Sequence, residues 1–308
     1  LERLKGREMA GKYLALVGAR DAAQAFDESV ARELAAGFVS YLGDARAAGL
    51  SDITPGRFLL PGDLAGSPVL TFAPVFRPEK PRRATLWREF ERRYEAYKSK
   101  VVKPFFRDHF ARIDRQIVLV DALGAIHAGP RATGDLSATM ADILAAFRPG
   151  RNTVLSRLLR GRRVDRILFA ATKADHLHHS QHPQLSAFMQ ALVHEAQARA
   201  DFKGARTRGM AIAALRATTE QTIDHKGSLL NCVRGTLADG KQAAFYPGEL
   251  PDDPARLLSD ARAGATKWLD AEYRIMDFAP ARLNLKPGEG PPHIRLDRAA
   301  QFLIGDRL

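Results

Sequence analysis

The four residues Thr172-Lys173-Ala174-Asp175 follow directly on the apolar run RILFAA and precede a helical stretch. A tetrapeptide of the pattern [Asn/Thr]-Lys-x-Asp at the end of a buried strand is the guanine-reading element of GTP-binding proteins. Its chemistry is specific. The Asp carboxylate accepts two hydrogen bonds, from N1–H and the exocyclic amine of guanine, and adenine offers no matching pair. The lysine stem covers the flat face of the base. The carboxyl end of a parallel strand is also where open α/β sheets place their ligands. The same residues also read as a loop lysine and an Asp that caps the next helix, and the pattern alone leaves both readings open. A second guanine-touching loop is expected after the next strand, where Ser-Ala is usual. Arg216-Ala217-Thr218 stands there, and only Ala217 matches. The candidate nucleotide-binding residues are Thr172, Lys173, Asp175, Ala217 and Thr218; no catalytic residue and no metal ligand is assigned.

Other chemistry-bearing patterns are weaker. Residues 6–13 satisfy G-x4-G-K but end in Tyr13, where a phosphate loop needs Ser or Thr on Mg²⁺. No strand has room to precede it, so a helical surface turn is expected. Asp121-Ala-Leu-Gly124 fits a D-x-x-G switch, yet its position at a strand end argues for a structural or rim residue. His176, His178, His179 and His182 lie within seven residues and could share a transition metal. Neighbouring loop histidines usually diverge, however, and no carboxylate besides Asp175 is expected close by, so a solvated helix entry is expected. The single cysteine, Cys232, excludes an internal disulfide and a Cys-based zinc site, and is assigned to packing.

The elements that must position these residues follow from periodicity. Apolar runs at 116–121 (QIVLVD), 166–171 (RILFAA) and 210–217 (MAIAALRA) read as buried parallel strands. Helices are expected at 135–147, capped near Thr133, and at 182–200, so strands and helices alternate as in an α/β sheet. Upstream, 21–48 reads as a helix, 57–76 as two short strands and 84–110 as a long helix that Pro104 kinks or breaks. Downstream, His225-Lys226-Gly227 and Asp239-Gly240 signal hairpin turns, 266–285 alternates weakly, 285–292 is a turn, and a short helix closes the chain.

Composition sets the class. Hydrophobic residues are 45% of 308, enough for a sizeable core. No run approaches the ~20 apolar residues of a membrane helix, and the first residues lack the apolar segment of a signal peptide. A cytoplasmic setting is expected. The chain opens on Leu rather than Met, which suggests a fragment with sequence upstream. The net charge of +12 fits an anionic partner without naming it. Arginines 151, 157, 160, 162, 163 and 166, and the stretch 82–115 with Trp87, Phe90, Tyr94 and Tyr97, read either as a nucleic-acid track or as helix faces laced by Glu89, Glu91 and Glu95.

Taken together, RFLLPGDLAGSPVLTFAP, YEAYKSKVVKPFFRDHFARIDRQIVLVDALGAIHAGP, ILFAATKADHL and FLIGDRL resemble the YcjX-like family of P-loop GTP-binding, stress-associated bacterial proteins. The resemblance covers 57–308. It implies an α/β fold, a partial Ras-like P-loop NTPase sheet with helical and β-rich insertions. QIVLVD, RILFAA and MAIAALRA would be its fourth, fifth and sixth strands, with the phosphate loop and switch upstream of residue 1. The implied plan is a helical region with a small β insertion (1–115), the C-terminal half of a Ras-like nucleotide-binding domain (116–221), a β-rich insertion (222–291) and a terminal helix packed on the nucleotide-binding domain (292–308). The implied ligands are GTP or GDP, with Mg²⁺ only alongside the upstream segment. GTP hydrolysis is expected of the longer protein and not of this chain. The alternative is a basic, non-enzymatic protein that binds nucleic acid or an anionic membrane surface.

Overall fold

The computed structural model of the chain describes residues 8–47, 56–109, 112–146, 164–199, 205–264, 276 and 278–308. The chain divides into two compact units, Leu1–Phe110 and Ala111–Leu308.

In the first unit, helix α1 (Gly11–Gly18) and helix α2 (Glu28–Ala47) bring Tyr13, Val17, Leu34, Tyr41 and Leu42 into one core. Helix α3 (Leu86–Tyr97) adds Leu86 and Phe90, and its N-terminus is capped by the Thr85 side chain. The two strands expected within 57–76 are absent. Three short 3₁₀ turns stand there instead, at Gly56–Phe58, Gly62–Leu64 and Pro68–Leu70. Pro61 and Pro68 lack the N–H a ladder needs, and Gly62 and Gly66 have positive φ, so the segment folds in turns. The break expected at Pro104 is a π-helical turn, Lys98–Val102, leading into helix α4 (Lys103–Asp108). Proline cannot donate to the carbonyl four residues back, and the backbone widens just before it.

The second unit holds the parallel sheet. Strands β1 (Arg115–Val120), β2 (Arg166–Ala171) and β3 (Arg206–Ala211) lie side by side in that order. Their registers align Val120 with Ala171 and Ala171 with Ala211, so the three carboxyl ends form one rim. β3 begins four residues earlier than expected and ends at Ala211. Its first half is polar, with exposed Arg206 and Arg208, and carries no apolar signal. Helix α5 (Ala122–Ala128) follows β1, and helix α6 (Pro130–Ala146) starts five residues before the expected position. Pro130 supplies the first-turn proline, while Thr133 is no cap: it is buried, and its hydroxyl donates to the Ala125 carbonyl.

Helix α7 (His182–Arg199) packs on β2 and β3. Gly209 permits the approach, because a Cβ there would sit 2.6 Å from Gln190 N and 2.7 Å from the Met189 carbonyl carbon. On the sheet's other face, Leu168, Ala170, Met210 and Ile212 meet Ala299, Phe302 and Leu303 of the closing helix. Arg115 and Arg166 fix the C-terminal end through Asp306, whose carboxyl the Arg115 guanidinium holds far below its usual range.

A second sheet is antiparallel: β4 (Thr218–His225), β5 (Ser228–Thr236) and β6 (Gln242–Phe245). The expected hairpin turn is present, with Lys226 at φ 54° and Gly227 at φ 80°, the positive pair of a two-residue type I′ turn. Cys232 is buried in β5, where desolvation pushes its thiol up. Helix α8 (Ala255–Ala263) comes next, and helix α9 (Leu296–Ile304) is the closing helix. Most of the weakly alternating stretch from 266 lies outside the described residues. Among the described residues, no helix is long and apolar enough to cross a membrane.

Candidate functional site

Thr172-Lys173-Ala174-Asp175 emerges from β2 at the rim. Thr172 is tied to the end of β1: its N–H donates to the Val120 carbonyl at 2.9 Å and its hydroxyl to the same oxygen at 3.3 Å. Lys173 adopts a left-handed conformation, φ 61° and ψ 31°, which turns the chain out of the strand. Its ammonium reaches across to Asp121 Oδ2 at 3.0 Å. Asp121 itself caps α5, accepting the Gly124 N–H at 2.9 Å through Oδ1. Asp121 is therefore a rim residue that organises β1's exit and the lysine beside it.

Ala174 and Asp175 are stitched to the segment after β3. The Ala174 N–H donates to the Ile212 carbonyl at 3.1 Å, and the Thr218 hydroxyl donates to the Asp175 carbonyl. The Asp175 side chain turns toward the same segment, where Oδ2 accepts the Ala217 N–H at 2.8 Å. It is 4% exposed. No cation among the described residues pairs with it, and none of them donates to its second oxygen. A buried carboxylate costs free energy unless hydrogen-bonded, so one N–H leaves most of this group's accepting capacity unused: an ionised carboxylate offers about four lone-pair directions. The structure thus brings Asp175, Ala217 and Thr218 together, with Thr172 and Lys173 one step away along β2's exit. Among the described residues Asp175 caps no helix N–H.

The four histidines part company. His182 is buried at the start of α7, its Nε2 2.7 Å from the Ala174 carbonyl, and desolvation pushes its pKa down. His176 packs edge-on against Phe278. His178 and His179 instead converge on Glu220 of β4, with His179 Nδ1 2.6 Å from Glu220 Oε2. The expectation that no further carboxylate is near was wrong. Glu220 lies 41 residues beyond His179, and only the fold brings them together.

The G-x4-G-K pattern loses its phosphate-loop reading. Gly11-Lys12-Tyr13 opens α1 after a 3₁₀ turn at Glu8–Ala10 rather than a strand, and the buried Tyr13 hydroxyl donates to the Pro74 carbonyl at 2.6 Å. The basic stretch around α3 is largely paired internally, Arg88 with Glu91, Arg92 with Glu89, Arg93 with Glu28 and Glu89, and Lys98 with Glu95. Arginines 151, 157, 160, 162 and 163 lie outside the described residues.

The aligned parallel strands, the helices on both faces and the rim loops define an α/β protein with a sheet of the Ras-like P-loop NTPase type. The profile of the YcjX-like family, DUF463, matches residues 1–308, and the chain belongs to that family. It is similar to the Ras-like GTPase YcjX of Escherichia coli K12, with 37% identity over 314 residues that cover 98% of this chain and 64% of the relative. It is also similar to the Ras-like GTPase YcjX of Shewanella oneidensis MR-1, at 32% identity over 99% of this chain and 63% of the relative. The chain therefore spans a little under two thirds of these curated relatives.

Proposed function

We propose that the rim formed by 172–175 and 216–218 reads the guanine of GTP or GDP. The observation that carries this is the buried Asp175 carboxylate, which among the described residues pairs with no cation and accepts one backbone N–H, that of Ala217. In this reading guanine enters by an exchange of partners. Asp175 accepts N1–H and the exocyclic amine, while the Ala217 N–H passes from Asp175 to the 6-oxo oxygen. The base thus repeats the donor–acceptor pattern that the free loop satisfies with itself. Adenine fails twice, since its N1 is an acceptor and its 6-position a donor. The Lys173 stem, anchored at Asp121, covers one face of the base. Thr218 ties the two loops together through the Asp175 carbonyl, and Thr172 ties the first of them to the end of β1 through the Val120 carbonyl.

The names of the relatives support a GTPase-like role. The phosphates and Mg²⁺ are, in this reading, held by residues outside 1–308, and hydrolysis is a property of a longer protein, by positioning and charge stabilisation at the phosphates. The chain by itself binds guanine nucleotide weakly and turns none over.

Titration of the chain with fluorescently labelled GDP, GTP and ATP tests this. Guanine preference on the order of tenfold or more, about 1.4 kcal/mol, without turnover, is the expected result. Equal affinity for ATP would overturn the reading. A steeply salt-dependent affinity for an oligonucleotide in its place would support the non-enzymatic basic protein.

A further inference from the structure

The convergence of His178, His179 and Glu220 lies outside the proposed base contacts, and it has the chemistry of a different ligand. Among the described residues these three offer lone-pair atoms all within 4.8 Å of one another. His179 Nδ1 lies 2.6 Å and His178 Nε2 3.7 Å from the same carboxylate oxygen, Glu220 Oε2. A tetrahedral zinc ion with bonds of about 2.0–2.1 Å spaces its ligand atoms about 3.3 Å apart. The two observed gaps straddle that value, so small side-chain adjustments reach it. His179 can make them freely, because its side chain is 68% exposed.

We propose that His178 Nε2, His179 Nδ1 and Glu220 Oε2 bind one divalent transition-metal ion of the zinc class, leaving a fourth position open to water. His178 Nδ1 accepts the Ser180 N–H at 3.4 Å and lies 2.9 Å from Ser180 Oγ, so the ring proton stands on Nε2 and must leave it when the ion binds. One outer contact supports this arrangement. Arg216 donates to Glu220 Oε1 at 3.0 Å and to the Thr218 carbonyl at 3.1 Å, which aims Oε2 at the imidazoles. The guanidinium also lowers the attraction for a cation, so the site favours ions that bind imidazole well over Mg²⁺ or Ca²⁺. The bound ion cross-links the turn after Asp175 to β4. The proposal stands independently of guanine binding.

The test uses the chain freed of metal by a chelator and titrated with Co²⁺, whose visible absorption is intense in tetrahedral sites and faint in water. Zn²⁺ is then added in competition. One equivalent of Co²⁺ should develop the intense bands, and one equivalent of Zn²⁺ should remove them. His179→Ala and Glu220→Gln should each weaken binding on the order of tenfold or more, the loss that even an outer partner of a metal site causes. His225→Ala, on an exposed histidine at the end of β4, should bind as the unaltered chain does. Zinc should raise the Tm of the unaltered chain and leave that of His179→Ala unmoved, which separates metal loss from misfolding. Faint Co²⁺ bands throughout, or unchanged affinity in His179→Ala, would overturn the proposal and reduce the cluster to an ion pair.

Discussion

Asp175→Asn replaces one carboxylate oxygen by an amide NH₂ and leaves the shape of the side chain nearly intact. In the free protein the remaining oxygen still accepts the Ala217 N–H, so the loop keeps the 2.8 Å bond that holds it. Exchange of an acceptor's charge for neutrality there should cost no more than about 1 kcal/mol of stability. The effect on nucleotide is larger. The Asn oxygen accepts from guanine N1–H, but its NH₂ then faces the guanine amine, donor against donor. One hydrogen bond to a charged acceptor, about 1.5–3 kcal/mol, is lost. The upper value, appropriate to a buried group, corresponds to roughly 150-fold in Kd. Xanthine carries an oxo group where guanine has the amine, and the Asn NH₂ can donate to it. The assay is competition of GDP and XDP against one labelled nucleotide on both proteins, with thermal unfolding to confirm the fold. GDP should weaken by about two orders of magnitude, and XDP should become the better ligand of the variant. A folded variant that binds GDP within about threefold of the original, or gains nothing for XDP, would refute the base-reading role of Asp175.

Arg93 is 9% exposed and serves Glu28, Glu89 and the Thr71 carbonyl at once. Arg93→Ala should therefore destabilise the first unit by about 3 kcal/mol or more, whereas Arg88→Ala, on an exposed pair with Glu91, should cost within about 1 kcal/mol. Urea unfolding compares them, and equal losses would contradict the ranking. Hydrogen bonds from Arg92 and Arg93 hold the Glu89 carboxyl down to about 2. Its stabilisation should be complete above the usual carboxylate range and lost as pH falls toward 2, a loss that Glu89→Gln should remove. For His182 the sign is the same but the cause differs: burial, not a cationic partner, lowers its folded pKa below the ordinary 6.5, so the unfolded chain binds the extra proton first. Stability of the second unit should fall as pH drops below about 6.5. His182→Gln, which can still donate to the Ala174 carbonyl, should flatten that part of the profile; an unchanged slope would remove His182 as its source.

How far the fold was legible depended on where burial leaves a mark on composition. β2 is read from its apolar run because both faces of the sheet are covered there, whereas β1 carries the same kind of run although Leu119 is exposed and only Val120 is buried. β3 is misplaced because its first half is Arg206-Thr207-Arg208-Gly209, polar at the exposed positions and glycine where α7 lies too close for a side chain. The prolines and glycines of 57–76 mark turns correctly, but the apolar residues between them go into 3₁₀ turns and the first unit's core rather than a ladder. At the site, the tetrapeptide and Ala217 are visible because their spacing to the strands is local. The meeting of His178 and His179 with Glu220 is not, since β4's position relative to the turn after Asp175 has no local signature. Asp121 as the partner of Lys173 is missed for the same reason, though its place at the end of β1 was there to be read.

The most direct measurement is a crystal structure of the chain with GDP bound. Asp175 should stand about 2.7–2.9 Å from both N1 and the exocyclic amine of the base, with the Ala217 N–H turned to the 6-oxo oxygen. A base seated elsewhere, with Asp175 Oδ2 still closed on Ala217, would contradict the account.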